Sequence, residues 1–114
     1  MNYSPQGFNL YIPGYPRFFN AETTECDAAT FRYWSWKITP DFDDVYLTTT
    51  LRKEMNDLVV SLNEAIQAVV LDANNLSNSN VTHYVDVDSR FDGHRWCEAG
   101  VKEPDSSHKT TYFF

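Results

Sequence analysis

Apolar and polar residues alternate over Phe8-Asn9-Leu10-Tyr11-Ile12 and stop at Pro13-Gly14, which predicts a short strand running into a turn. The next clear pattern is helical. Leu51, Met55, Leu58, Leu62, Ile66 and Val69 recur at steps of three and four, so they align along one face of an α-helix, with Arg52, Lys53, Asp57, Glu64 and Gln67 pointing elsewhere. The threonines at 48, 49 and 50 can supply an N-cap hydroxyl, and the Asn- and Ser-rich stretch 74–80 should end the helix. Alternation returns over residues 81–87, predicting a second strand that feeds Phe91-Asp92-Gly93-His94-Arg95-Trp96-Cys97-Glu98. Two aromatic clusters, at 15–19 and 31–36, lie in a segment without periodicity that reads as loop.

Strand, loop, helix, strand is the order of an α/β crossover, in which a helix carries the chain between two parallel strands. Two strands are too few for an independent sheet, and a parallel sheet needs both faces covered. The pattern therefore predicts one partial α/β domain over residues 1–114, completed by further strands and helices.

Composition narrows the partners. Sixteen acidic against nine basic residues give a formal charge of −7, which repels phosphate backbones and argues against nucleic acid and anionic membrane surfaces. No apolar run approaches the length of a membrane span, and no signal peptide is legible in this chain. Two cysteines, Cys26 and Cys97, form one disulfide in an oxidising compartment or stay as two buried thiols. Three acceptor patterns for N-glycosylation, at Asn2, Asn75 and Asn80, weakly favour secretion.

His94 carries the candidate chemistry. It follows Gly93 beyond the carboxyl end of a predicted strand, where α/β hydrolases expose a general base on a loop. His83, inside the strand pattern, and His108, in the polar tail, read as structural or solvated. Asp86 and Asp88 share a strand face but lack further metal ligands at useful spacing, so capping or loop hydrogen bonding is the favoured role. The run Asp41, Asp43, Asp44 reads as a solvated lead-in to the helix. Trp34 and Trp36 suit core packing and a ligand pocket equally.

The strings Gly7-Phe8-Asn9-Leu10-Tyr11-Ile12-Pro13-Gly14-Tyr15, Phe18-Phe19-Asn20, residues 51–58 and Phe91-Asp92-Gly93-His94-Arg95-Trp96-Cys97-Glu98 resemble fungal SGNH (GDSL-type) hydrolases. The resemblance covers nearly the whole chain and corresponds to the C-terminal part of the catalytic domain. It implies a three-layer α/β/α sandwich with a flavodoxin-like parallel sheet, a secreted protein, and hydrolysis of lipid, acetylated-glycan or small acyl esters. By this resemblance His94 is the general base of a Ser-His acyl transfer. Many members orient that histidine with an aspartate three positions earlier. Here that position is Phe91, so its backbone carbonyl is the preferred orienter of the His94 ring, with Asp92 and Asp88 as alternatives.

Neither Gly-Asp-Ser nor Gly-x-Ser-x-Gly occurs among the 114 residues. Ser35, in an aromatic loop, and Ser61, within the helix, are not on the strand-to-helix turn a nucleophile needs. The nucleophile and oxyanion donors are expected upstream of Met1, and the isolated chain is expected to be inactive. The resemblance implies no cofactor and no metal. A disulfide from Cys97 would clamp the His94 loop, its partner being Cys26 or a cysteine of a longer chain. Two other readings stand beside the hydrolase. One is a non-catalytic, truncated module that self-associates through an exposed sheet edge; the other is a small acidic binding domain of unrelated fold.

Overall fold

The computed structural model describes residues 7–30, 44–103 and 109–112. Trp34, Trp36, Ser35, Asp41, Asp43, His108 and the Asn2 acceptor pattern lie outside the described residues. The described elements are β1 (Leu10–Pro13), α1 (Thr49–Ser77), β2 (Thr82–Val85) and a 3₁₀ turn at Asp88–Phe91.

β1 and β2 pair in parallel, with Leu10 opposite Thr82 and Pro13 opposite Val85. The ladder extends one residue past each end, through Leu10 N–H to Val81 C=O (2.7 Å) and Gly14 N–H to Val85 C=O (3.0 Å). A mixed α/β arrangement of one crossover helix and two parallel strands is thus in place. Both strands are shorter than the alternation suggested; after β2 the chain leaves the ladder at Asp86, whose Oδ1 accepts from Ser89 N–H at 3.2 Å inside the following 3₁₀ turn.

The helix begins and ends on local chemistry. Thr48 Oγ1 accepts from Leu51 N–H at 3.2 Å, the N-cap its threonine predicts. At the other end Asn78 adopts a left-handed conformation, φ 46°. Ser79 N–H then reaches Asn74 C=O (3.0 Å) and Asn78 N–H reaches Asn75 C=O (3.2 Å), the paired bonds of a Schellman cap with asparagine in place of glycine.

The face of α1 that the chain covers is not the apolar row. Its buried residues are Arg52, Asn56, Asn63 and Val70, whereas Leu58 is 73%, Leu62 46% and Val69 64% exposed. At about 100° per residue, Arg52, Asn56, Asn63, Val70 and Asn74 fall within about 40° of one another, and the Leu/Val row lies roughly a quarter-turn away. Backbone demand decides the choice. The segments leaving β1 and entering β2 offer unpaired peptide groups, and a buried peptide group must be satisfied. Asn63 takes both groups of Tyr15, its Oδ1 from Tyr15 N–H (2.8 Å) and its Nδ2 to Tyr15 C=O (2.8 Å). Asn74 does the same at Thr82, at 3.1 and 2.8 Å. Gly14 is required where this packing is tightest: a Cβ there would overlap the Tyr84 hydroxyl and sit 2.8 Å from Asn63 Oδ1.

Among the described residues the buried apolar cluster is formed by Phe19, Cys26, Leu47 and Cys97, with Ala29, Met55 and Trp96 against it. It lies at the amino end of α1, beyond the carboxyl ends of both strands. Among the described residues no helix is long and apolar enough to cross a membrane.

Candidate functional site

Past β1 and β2 the two strand exits run side by side. Trp96 N–H donates to Phe18 C=O (3.0 Å) and Asn20 N–H to Trp96 C=O (2.7 Å), a parallel bridge between Phe19 and Trp96. A disulfide joins Cys26 to Cys97 across 71 positions, both residues fully buried. Of the pairings the sequence left open, the one within this chain forms. Cys97 holds a positive φ of 68°, a conformation that is costly for a side-chain-bearing residue and persists where its surroundings enforce it. Thr23 Oγ1 adds a 2.5 Å bond to Cys97 C=O, and Asn20 Nδ2 donates to Glu98 Oε2 at 2.8 Å.

Two buried arginines organise this region. Arg52, fully buried at the start of α1, donates from Nε to Leu47 C=O (2.8 Å), from Nη1 to Asn20 C=O, and from Nη2 to Thr23 C=O (2.6 Å) and Asp27 Oδ1 (2.8 Å). Its planar fork collects loop carbonyls that no secondary structure satisfies. Arg95 does the equivalent for the histidine loop. Its Nε donates to Arg17 C=O (3.1 Å), its Nη1 to Asp92 Oδ1 (2.5 Å), and its Nη2 to Asp88 C=O (2.9 Å) and Oδ1 (3.0 Å). Burial works against the Arg95 charge, but Asp92 and Asp88 outweigh it and hold the guanidinium more firmly protonated than usual.

Asp88 also accepts from Arg17 N–H and from Arg17 Nε, both at 2.7 Å. Burial alone would raise its pKa. The Arg17 backbone N–H, with the Arg95 and Arg17 guanidiniums, more than reverses that and leaves it below the ordinary carboxylate range. A carboxylate with a depressed folded-state pKa adds stability above its unfolded-state pKa, near 3.9, and loses it as pH falls through the folded value. Asp88→Asn is therefore expected to lower the unfolding midpoint at pH 7. The gap to the parent should close progressively below about pH 4, and a gap independent of pH would remove the ion-pair explanation.

His94 stands where the sequence places it, after Gly93 in a left-handed turn (φ 78°). Its orienter is not the predicted one. The Phe91 carbonyl accepts from the His94 main-chain N–H at 2.9 Å, closing the tight turn, so it serves the backbone and not the ring. The ring Nδ1 instead lies 2.6 Å from Thr110 C=O. A carbonyl only accepts, so Nδ1 bears the hydrogen and Nε2 is left with its lone pair in the neutral ring. Neither alternative acid reaches the imidazole: Asp92 turns to Arg95, and Asp88 to Arg95 and Arg17. Tyr112 stacks on the ring at 3.9 Å and 8°, and its N–H donates to His94 C=O at 3.1 Å. Residues 110–112 thus cover one face of the histidine and orient it.

A cleft of about 300 Å³ opens beside this loop, lined by Arg17, Asn20, Asn56, Asp92, Gly93 and Arg95 among others. It lies beyond the carboxyl ends of both strands, where open α/β sheets bind ligands. His94 is its neighbour through Gly93 and is not part of its lining. His83 belongs to the strand surface, with Nε2 2.9 Å from Asn9 Oδ1 and its ring stacked on Tyr11.

Arg17, Arg52 and Arg95 were not legible as parts of this site. The available signal was the coincidence of Arg52, Asn56, Asn63 and Asn74 on one helical face, which marks a helix packed against backbone. Compared with protein-family models, curated proteins and solved structures, the chain matches none.

Proposed function

We propose that this chain is the C-terminal part of an SGNH-type carboxylic ester hydrolase of three-layer α/β/α architecture, with His94 as the general base of Ser-His acyl transfer. The carrying observation is the histidine itself. Its Nδ1–H is engaged by a backbone carbonyl at 2.6 Å, and its Nε2 makes no hydrogen bond among the described residues. That is the tautomer a general base needs, with the free nitrogen ready to take a serine proton and return it to the departing alkoxide. The disulfide and Arg95 hold the loop, which limits the motion of the imidazole. Serine and oxyanion donors come from a segment outside these 114 residues, and the substrate is an ester of a small molecule, a lipid or a glycan. The chemistry uses neither metal nor cofactor, and the protein acts outside the cell, as the fungal secreted type it resembles would.

The exposed row Leu58, Leu62 and Val69 favours a second reading in which the chain is a non-catalytic module that associates through this face and its open sheet edges. One experiment separates the two. The native transcript is sequenced in frame upstream of the Met1 codon, and the encoded protein is assayed on a chromogenic acyl ester with and without His94→Gln. The hydrolase reading expects an upstream Gly-Asp-Ser block and a fall in kcat of about 10³-fold or more in the variant. An absent block leaves the module reading. An active enzyme whose kcat is unchanged by His94→Gln, while its unfolding midpoint drops, would reduce His94 to a tie for residues 110–112.

A further inference from the structure

We propose that Asn80 is an N-glycosylation site and that Asn75, five residues away, is not. Both belong to acceptor triplets, Asn75-Leu76-Ser77 and Asn80-Val81-Thr82, and both are exposed. Their backbone settings differ. Asn75 and Ser77 lie within α1, where residues two apart point about 200° away from each other. The Ser77 hydroxyl is further committed to Ala73 C=O at 2.7 Å. An acceptor amide and its activating hydroxyl must approach the same transferase site, and the helix separates them.

Asn80 follows the left-handed Asn78 that terminates the helix. Thr82 is the first residue of β2, and Val81 already joins the ladder through its carbonyl. Asn80 and Val81 lie in neither helix nor strand, so no helical turn holds the Asn80 amide away from the Thr82 hydroxyl. Neither side chain makes a hydrogen bond among the described residues, and Thr82 is tied to Asn74 through its backbone alone. The buried Cys26–Cys97 disulfide independently points to an oxidising compartment, the one in which such glycans are added.

The ligand is an oligosaccharide carried on a lipid diphosphate. One bond forms between Asn80 Nδ2 and the anomeric carbon, that carbon's bond to phosphate oxygen breaks, the lipid diphosphate leaves, and one amide proton passes to the transferase's base. The glycan projects from the amino end of β2, about 13 Å of strand from the cleft at the carboxyl ends. There it shields Val81 and Leu76, the latter 90% exposed, without obstructing the cleft.

The test directs the full chain into the secretory lumen of a eukaryotic host and reads intact mass and peptide maps before and after peptide N-glycosidase. Retained and secreted chains are both analysed, so poor folding does not hide the result. A glycosidase-sensitive mass on the 80–82 peptide is expected, lost in Asn80→Gln and Thr82→Ala, kept in Thr82→Ser and unchanged in Asn75→Gln. With the third acceptor, Asn2, replaced by Gln in every variant, a chain that enters the lumen without such a mass on the 80–82 peptide, or one that carries a glycan on Asn75, overturns the assignment.

Discussion

Replacing Arg52 by alanine is expected to destabilise the chain by about 3–5 kcal/mol, a large share of the stability of a domain this size. The side chain is fully buried and holds the carbonyls of Leu47, Asn20 and Thr23 together with Asp27. Each buried acceptor left without a donor costs about 1–3 kcal/mol. Asp27 is partly exposed, so water replaces much of that contact, and the carbonyls dominate the loss. Arg52→Lys should recover little, since one ammonium cannot address three carbonyls arranged around a planar fork. Urea unfolding followed by circular dichroism measures both variants. A loss under about 1 kcal/mol for the alanine would mean that the loop between β1 and α1 carries its own hydrogen bonds.

Removing the disulfide has an effect of similar size. Closing a loop across 71 positions restricts the unfolded chain by about 4 kcal/mol in the chain-entropy account, and Cys26 and Cys97 also belong to the buried cluster seen among the described residues. Cys26→Ala with Cys97→Ala should therefore lower stability by about 4 kcal/mol and release the segment that bears Arg95 and His94. Intact mass before and after reduction checks the bond itself, with a gain of two hydrogens on reduction. Two freely titrating thiols in an oxidised preparation, or an unchanged unfolding midpoint in the double variant, would contradict it.

The hydrolase proposal turns on how His94 is held. A carbonyl on Nδ1 does what an aspartate would do for the tautomer, without placing a negative charge beside the ring. The two nearby acids are engaged instead in neutralising Arg95 and Arg17. Asp88 is thus an anchor of the loop, and its influence on the histidine passes through backbone position.

Periodicity and cap chemistry made α1 legible, because a threonine hydroxyl, a left-handed asparagine and a three- and four-residue recurrence act within a few residues of one another. Alternation likewise revealed both strands, and the helix between them implied their parallel pairing. The loop hydrogen bonding expected of Asp86 is present, and Gly93 marked the turn before His94. Which helix face the chain covers was not legible, for a physical reason. Hydrophobic recurrence identifies the side of a helix that avoids water, yet the neighbours here are strand exits rich in unpaired peptide groups, and Arg52, Asn56, Asn63 and Asn74 satisfy them.

What the sequence determined by itself was therefore local: the positions of α1, β1 and β2, their order, and the loop that carries His94. Tertiary structure alone decided the long-range pairings: Arg52 with the Asn20 and Thr23 carbonyls, 32 and 29 positions away, Arg17 with Asp88, Cys26 with Cys97, and Thr110 with the His94 ring. Each depends on two distant segments meeting with matching donors and acceptors, and a buried polar group is stable only once that meeting has occurred.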